Sequence, residues 1–312
     1  MGNGISKYAM TAVPILTFPT GVDPGVSTIP PQEPGRARAL EHCRELELGG
    51  ILFFPRVPFN LPRADCEFLM AQSQGHSRLH KSVSYRPLED EVHGFQGKRA
   101  ARERTRRILR AYSDEVLRFV NRWLTPYAGK PARDYASFRP LEEDGRDLPL
   151  HKRNDLLHVD AFPSRPTRGG RILRLFTNIH PFGPRVWRTG APFSFLADRY
   201  ALEAGLKPTF ASTMRERVLE WVRPSQSPYD RFMLRFHDFL KENREYQASS
   251  RSRLVKFPPM SSWMGFTDGL AHAVLSGQYA LEQAFVVPVE ALVLPSESPL
   301  RILEALAGRA LA

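Results

Sequence analysis

The sequence predicts an α+β fold: a double-stranded β-helix (jelly-roll, cupin-like) core with flanking helices and one helical insertion. Three observations lead there. Short apolar runs bounded by Pro and Gly gather in two blocks, 133–195 and 253–294, and read as strands. The stretch between them, 196–252, has helical patterning and reads as an insertion between two halves of one barrel. The first block carries His158-Val159-Asp160 and the second carries His272, and a double-stranded β-helix brings an early strand beside a late one.

Taken in order, residues 1–35 are a Pro/Gly-rich arm (TGVDPGVSTIPPQEPG) and 36–132 a mostly helical support. Arg36 to Leu48 forms a short helix ended by Gly49-Gly50, and Ile51–Phe54 a buried strand stopped by Pro55. A second short helix runs from Pro62 to Met70, and SVSYRPLEDE is a strand or an excursion. Gly97 to Leu124 is the clearest helix: Ile108, Tyr112, Val116, Phe119 and Trp123 recur on one face, and Pro126 ends it. Its first half, KRAARERTRRILR, reads as a solvated face or as a patch for phosphates or a membrane surface.

The β core opens with Asp134 to Arg139, followed by the strand of His158 and Asp160. Arg171 to Ile179 is the next strand, with Ile172, Arg174, Phe176 and Asn178 on one face. PRVWRTGAPFSF, from Pro184 to Phe195, reads as a strand, a turn and a second strand. The insertion supplies LADRYALEAGL, TMRERVLEWV and a helix begun at Ser227-Pro228, on which His237 reads as a packing residue. β character resumes with RLVKFPP, SSWMGFTD, AHAVLSG and ALEQAFVVPV, Thr267-Asp268-Gly269 marking a tight turn. Residues 295–312 close the chain with a helix from Ser298-Pro299 to Gly308. The whole of 1–312 reads as a single domain, a length that all-β barrels readily reach.

With 42% hydrophobic and 25% charged residues the composition is that of a soluble globular protein, and no apolar run is long enough to span a bilayer. The N-terminus lacks a signal-peptide core. Cys43 and Cys66 are too few for a disulfide framework or a zinc motif and read as buried free thiols in a reducing compartment. The net charge, 44 − 33 = +11, favours an anionic partner.

Residues two apart on a strand share a face, so His158 and Asp160 project together. With His272 they make a 2-His-1-carboxylate set for non-haem Fe(II), leaving positions for a bidentate 2-oxoacid and O2 or water. The distal carboxylate of 2-oxoglutarate then needs a fixed cation, and a bidentate Arg suits it better than Lys. No Arg follows His272 at the roughly ten-residue distance common in such oxygenases. Arg174, on the next strand, is the substitute, Asn178 on the same face is read with it as a cosubstrate-binding residue, and Arg139 is poised for the cosubstrate or an acidic substrate. The same ligands would also serve a metal-dependent hydrolase or isomerase in a cupin-like barrel. A non-catalytic nucleic-acid binder is suggested by charge alone, but the aromatics of the basic helix lie on its apolar face rather than among its Arg residues.

LLHVDAFPSRPTRGGRILRLFTNIHP (156–181), the following PRVWRTGAPF, the FRP around Arg139 and the late GLAHAVLSGQYALEQAFVVP resemble the Kdo hydroxylase family. These are Fe(II)/2-oxoglutarate-dependent dioxygenases of Gram-negative bacteria that hydroxylate 3-deoxy-D-manno-octulosonic acid (Kdo) on the lipid A inner core to give Ko. The resemblance implies His158, Asp160 and His272 as iron ligands, Arg174 as the 2-oxoglutarate partner and a place for Arg139 in the site. It implies hydroxylation at C3 of Kdo-lipid A, with succinate and CO2 as coproducts. It also implies a cytoplasmic enzyme with no nucleic-acid partner. The basic helix 97–124, or the insertion with Arg223 and Arg231, would meet the anionic inner-membrane surface.

Overall fold

A computed structural model of the chain describes residues 15–16, 25–30, 32–72, 82–207 and 226–312. Twelve strands are present among them: β1 (Ile15–Leu16), β2 (Val26–Thr28), β3 (Ile51–Phe54), β4 (Val83–Arg86), β5 (Glu91–His93), β6 (Ala132–Arg139), β7 (Arg171–Asn178), β8 (Arg185–Pro192), β9 (Arg253–Phe257), β10 (Ser262–Phe266), β11 (Leu270–Ser276) and β12 (Ala280–Val287). The helices are α1 (Arg36–Glu47), α2 (Arg63–Gln72), α3 (Arg99–Trp123), α4 (Phe193–Tyr200), α5 (Pro228–Glu242), α6 (Arg244–Ser249) and α7 (Pro299–Ala307).

The strands form two facing sheets, one of eight strands in the order β2-β3-β10-β7-β12-β6-β4-β5 and one of four in the order β1-β9-β8-β11. This is the expected jelly-roll. Alternation decides which face of β7 looks inward. Phe176 packs on Trp187 and Trp263, with ring centroids 4.8 and 5.4 Å apart, in an aromatic core that also takes Phe53 and Phe257. Leu173 and Leu175 point the other way into the larger core under the helices, which includes Tyr112, Val116 and Phe119 of α3. Arg174 therefore faces the barrel interior, opposite Gly265 of β10 and Ala284 of β12, residues small enough to leave a guanidinium room.

The arm is not merely draped over the domain. β1 pairs with β9 and β2 with β3, both in parallel, so its two strands extend one edge of each sheet. The second strand expected in 184–195 is instead a helix: β8 ends at Pro192, which cannot donate to a ladder and stands as the N-cap of α4. Phe193 is buried there against Phe236 of α5, at 5.6 Å. TMRERVLEWV and Arg223 lie outside the described residues. α5 begins at Ser227 in a capping box with Asp230, and α7 ends at Gly308 in the left-handed region, φ 65°.

The tight turn after β10 carries a buried ion pair. Arg171, with no exposed surface, places Nε 3.0 Å from Asp268 Oδ2. A Cβ on Gly269 would come within 2.0 Å of that guanidinium, which is why glycine follows the aspartate. Among the described residues no helix is long and apolar enough to cross a membrane.

Candidate metal centre

The His-x-Asp segment is templated by β11 and the turn before it. His158 and His272 exchange both main-chain hydrogen bonds as an antiparallel pair, 3.1 and 2.9 Å, and the Asp160 amide donates to Thr267 O at 2.8 Å. Residues 158 and 160 then share a face, and His272 meets it from the neighbouring strand. One ligand atom from each of the three lies within 4.8 Å of the others, and all three residues are buried. Nε2 of His158 stands 3.7 Å from Asp160 Oδ1, and Nε2 of His272 stands 3.9 Å from Oδ2.

Both imidazoles are oriented by the same device. Nδ1 of His158 donates to Leu156 O at 2.7 Å and Nδ1 of His272 to Leu270 O at 3.1 Å, so each Nε2 keeps a lone pair aimed into the cluster. Burial, joined at His158 by the other histidines, holds both groups below the ordinary 6.5 and keeps them neutral. Burial alone would raise the Asp160 carboxyl, but Arg174, His272 and His158 overcome it and keep it ionised far below the usual carboxylate range. Its Oδ2 is buried and accepts no hydrogen bond among the described residues. Two neutral imidazole nitrogens and an ionised carboxylate, all buried and within reach of one another, fit a divalent cation.

A chain of alternating charge leads away from this cluster into the barrel. Arg174 Nη1 lies 3.1 Å from Asp160 Oδ2 and 3.2 Å from Glu282 Oε1. Arg139 places Nε 2.7 Å and Nη2 2.6 Å from Glu282 Oε2. Glu143 lies beyond, 4.0 Å from Arg139 and 3.2 Å from Arg185. Arg174 Nε is buried with no hydrogen-bond partner among the described residues.

A family model for 3-deoxy-D-manno-oct-2-ulosonic acid (Kdo) hydroxylase matches residues 32–310. The chain belongs to the Kdo hydroxylase family. Solved structures of the Kdo hydroxylase KdoO, a non-heme Fe(II) alpha-ketoglutarate-dependent dioxygenase, superpose closely. The complex with alpha-ketoglutarate and Fe(III) has 33% identity and a TM-score of 0.82, over 92% of this chain and 97% of that one. The complex with succinate and Fe(III) has 34% identity and a TM-score of 0.81 over the same shares, and a cobalt(II) complex has 33% and 0.81. No curated protein sequence matched the chain.

Of the site residues expected from sequence, the fold brings His158, Asp160, His272 and Arg174 together and sets Arg139 in the same charge chain, ion-paired with Glu282. Asn178 differs from expectation. Its amide nitrogen donates to the carbonyls of Gly183, Phe257 and Pro258, and its Oδ1 accepts from His180 N, so the side chain is spent on loop backbone. Two contributors went unread in the sequence. Glu282 is one, and its only signal is a carboxylate flanked by Ala280 and Ala284 on the inward face of β12. Trp187, which stacks on His272 at 5.1 Å, is the other.

Proposed function

We propose that the protein hydroxylates Kdo with Fe(II), 2-oxoglutarate and O2, holding iron on His158, Asp160 and His272. The convergence of one ligand atom from each of these buried residues is the observation that carries the reading. Bound there, iron would supply O2 activation coupled to decarboxylation of 2-oxoglutarate to succinate and CO2, the oxidation being spent on a C–H bond of Kdo. The residues of this chain do the rest. His158 and His272 present preset Nε2 lone pairs, and Asp160 brings a charge that needs no deprotonation. Arg174 grips the distal carboxylate of 2-oxoglutarate, with its unpartnered Nε free to donate. Arg139 works beside it on the same carboxylate side, and Asn178 contributes by fixing the loops at the end of β7. The aromatic core keeps water from the inner wall.

The acceptor in this reading is Kdo on lipid A, hydroxylated at C3 to Ko by an enzyme of the cytoplasm working at the inner-membrane surface. The +11 charge suits so anionic a target, and Arg99 and Arg107 are exposed on α3. Co-sedimentation with anionic vesicles at low salt is the expected behaviour, and its absence would remove the membrane contact.

The deciding experiment is an anaerobic titration with Fe(II) and 2-oxoglutarate, following the weak visible charge-transfer band of the chelate. Wild type should develop the band, His158→Ala should lack it, and Arg174→Ala should need more 2-oxoglutarate. Under O2 with Kdo-lipid A, succinate should form in step with a product heavier by one oxygen atom. No band in metal-loaded wild type would sink the reading.

A further inference from the structure

We infer that Glu282 is a positioning residue of the cosubstrate site, clamping Arg139 and Arg174 so that both address one distal carboxylate. Position 282 lies ten residues past His272, a spacing at which the sequence carries no Arg. A carboxylate stands there instead and draws in two arginines from other strands. Glu282 is 5% exposed, and neither oxygen is idle: Oε2 takes Nε and Nη2 of Arg139 at 2.7 and 2.6 Å, and Oε1 faces Arg174 Nη1 at 3.2 Å. Among the described strands β12 is placed to do this, because it pairs with β6, which carries Arg139, on one side and with β7, which carries Arg174, on the other.

Charge supports the same conclusion. A buried arginine is costly without a partner, and here two arginines meet two carboxylates, Glu282 and Asp160. These four groups sum to zero. A dication on the ligand triad and a dianionic 2-oxoacid also sum to zero, so the loaded site stays balanced only with both present. Without Glu282 the arginines would repel one another across the barrel and lose their shared aim. Arg146 and Arg185 cannot stand in, since Glu143 holds them at 3.5 and 3.2 Å.

The inference rests on the reading in which Arg174 grips the distal carboxylate, and the test separates the two. Calorimetry on cobalt(II)-loaded protein would compare 2-oxoglutarate with 2-oxobutyrate, the same chain without the distal carboxylate. The quantity of interest is the ratio of their Kd values. Wild type should favour 2-oxoglutarate strongly, and Arg174→Gln should collapse that preference. Glu282→Gln should reduce it by about tenfold or more. Glu282→Asp, which keeps the charge and so guards against misfolding, should fall between. An unchanged ratio in both Glu282 variants, with Arg174→Gln collapsed, overturns the inference alone. Equal weakening of both oxoacids in the Glu282 variants marks a merely structural carboxylate and also overturns it. An unchanged ratio in Arg174→Gln overturns the underlying reading of Arg174 and the inference with it.

Discussion

At the scale of single residues, the proposed ligands His158 and His272 are held in orientation by the protein itself. Each imidazole donates Nδ1–H to the carbonyl two residues before it, so neither ring can turn Nε2 away without losing a buried hydrogen bond. Trp187 lies nearly parallel to His272, 24° between planes, and this contact makes a spectroscopic prediction. Cobalt(II) on His272 should quench the intrinsic tryptophan fluorescence, and Trp187→Phe should remove most of that quench while cobalt still binds. Quenching that survives Trp187→Phe undiminished would place the metal away from His272. The shared face of His158 and Asp160 was legible in the sequence because two-residue spacing on an extended segment fixes it without tertiary information, whereas their meeting with His272 needs the fold. Glu282 was not legible, since a lone carboxylate in ALEQAFVV has meaning only once β12 is known to lie between β6 and β7. Asn178 was placed on the right face, but nothing in the sequence shows that loop carbonyls would claim its amide.

At the scale of elements, His-x-Asp, expected as a strand, is an extended segment held to β11 by a single bridge at His158, and the helical insertion acts as its missing neighbour. One edge of that segment pairs with β11 through His158 and reaches Thr267 through Asp160. On the other edge no strand pairs with it among the described residues, and side chains from α5 and α6 supply the hydrogen bonds. Gln247 accepts from Leu157 N at 3.0 Å and donates to Leu157 O at 2.8 Å, and His237 Nδ1 donates to Val159 O at 2.7 Å. His237 also sets its ring edge-on against His158, 4.8 Å between centroids, so the packing role read from sequence is accompanied by an orienting one. Gln247→Ala should speed amide exchange of 157–160 and weaken cobalt(II) binding by about tenfold, with the rest of the barrel still protected. Unchanged exchange at Leu157 would mean the insertion only covers the strand. The basic half of α3 shows the opposite outcome, where a strong sequence signal is largely consumed locally. Asp90 takes Arg106 and Arg110, Glu103 takes Arg106, and Arg102 donates to Val92 O at 2.9 Å. Much of this charge therefore binds the β4–β5 hairpin to the helix. Asp90→Asn should loosen that hairpin in hydrogen exchange and leave metal binding intact.

At the scale of the whole molecule, the succession of strands along the chain was legible further than the ends of the elements or their order in the sheets. Short apolar runs mark most strands of the two sheets, whereas the helix after Pro192 and the arm strands β1 and β2 depend on partners distant in sequence. The same closure buries histidines, and that gives the molecule a pH limit. Burial lowers His42, His158, His237 and His272 below the ordinary value of 6.5 in the folded state. Below that value the unfolded chain binds more protons than the folded one, so stability falls as pH falls; well above it both states are neutral and the effect vanishes. The melting temperature of metal-free protein should therefore be nearly flat above about pH 7 and decline as the solution is acidified below about 6.5. Cobalt(II) should raise it at neutral pH, because binding requires the deprotonated imidazoles of His158 and His272, and the increment should shrink on acidification. His42 offers the internal control: it stacks on Trp123 at 6.3 Å, away from the metal ligands, and both ring nitrogens are buried without partners among the described residues. His42→Phe should flatten part of the acid decline in the metal-free protein and leave the pH dependence of the cobalt increment as it was. An acid decline that His42→Phe leaves untouched would assign the pH limit to His158, His237 and His272.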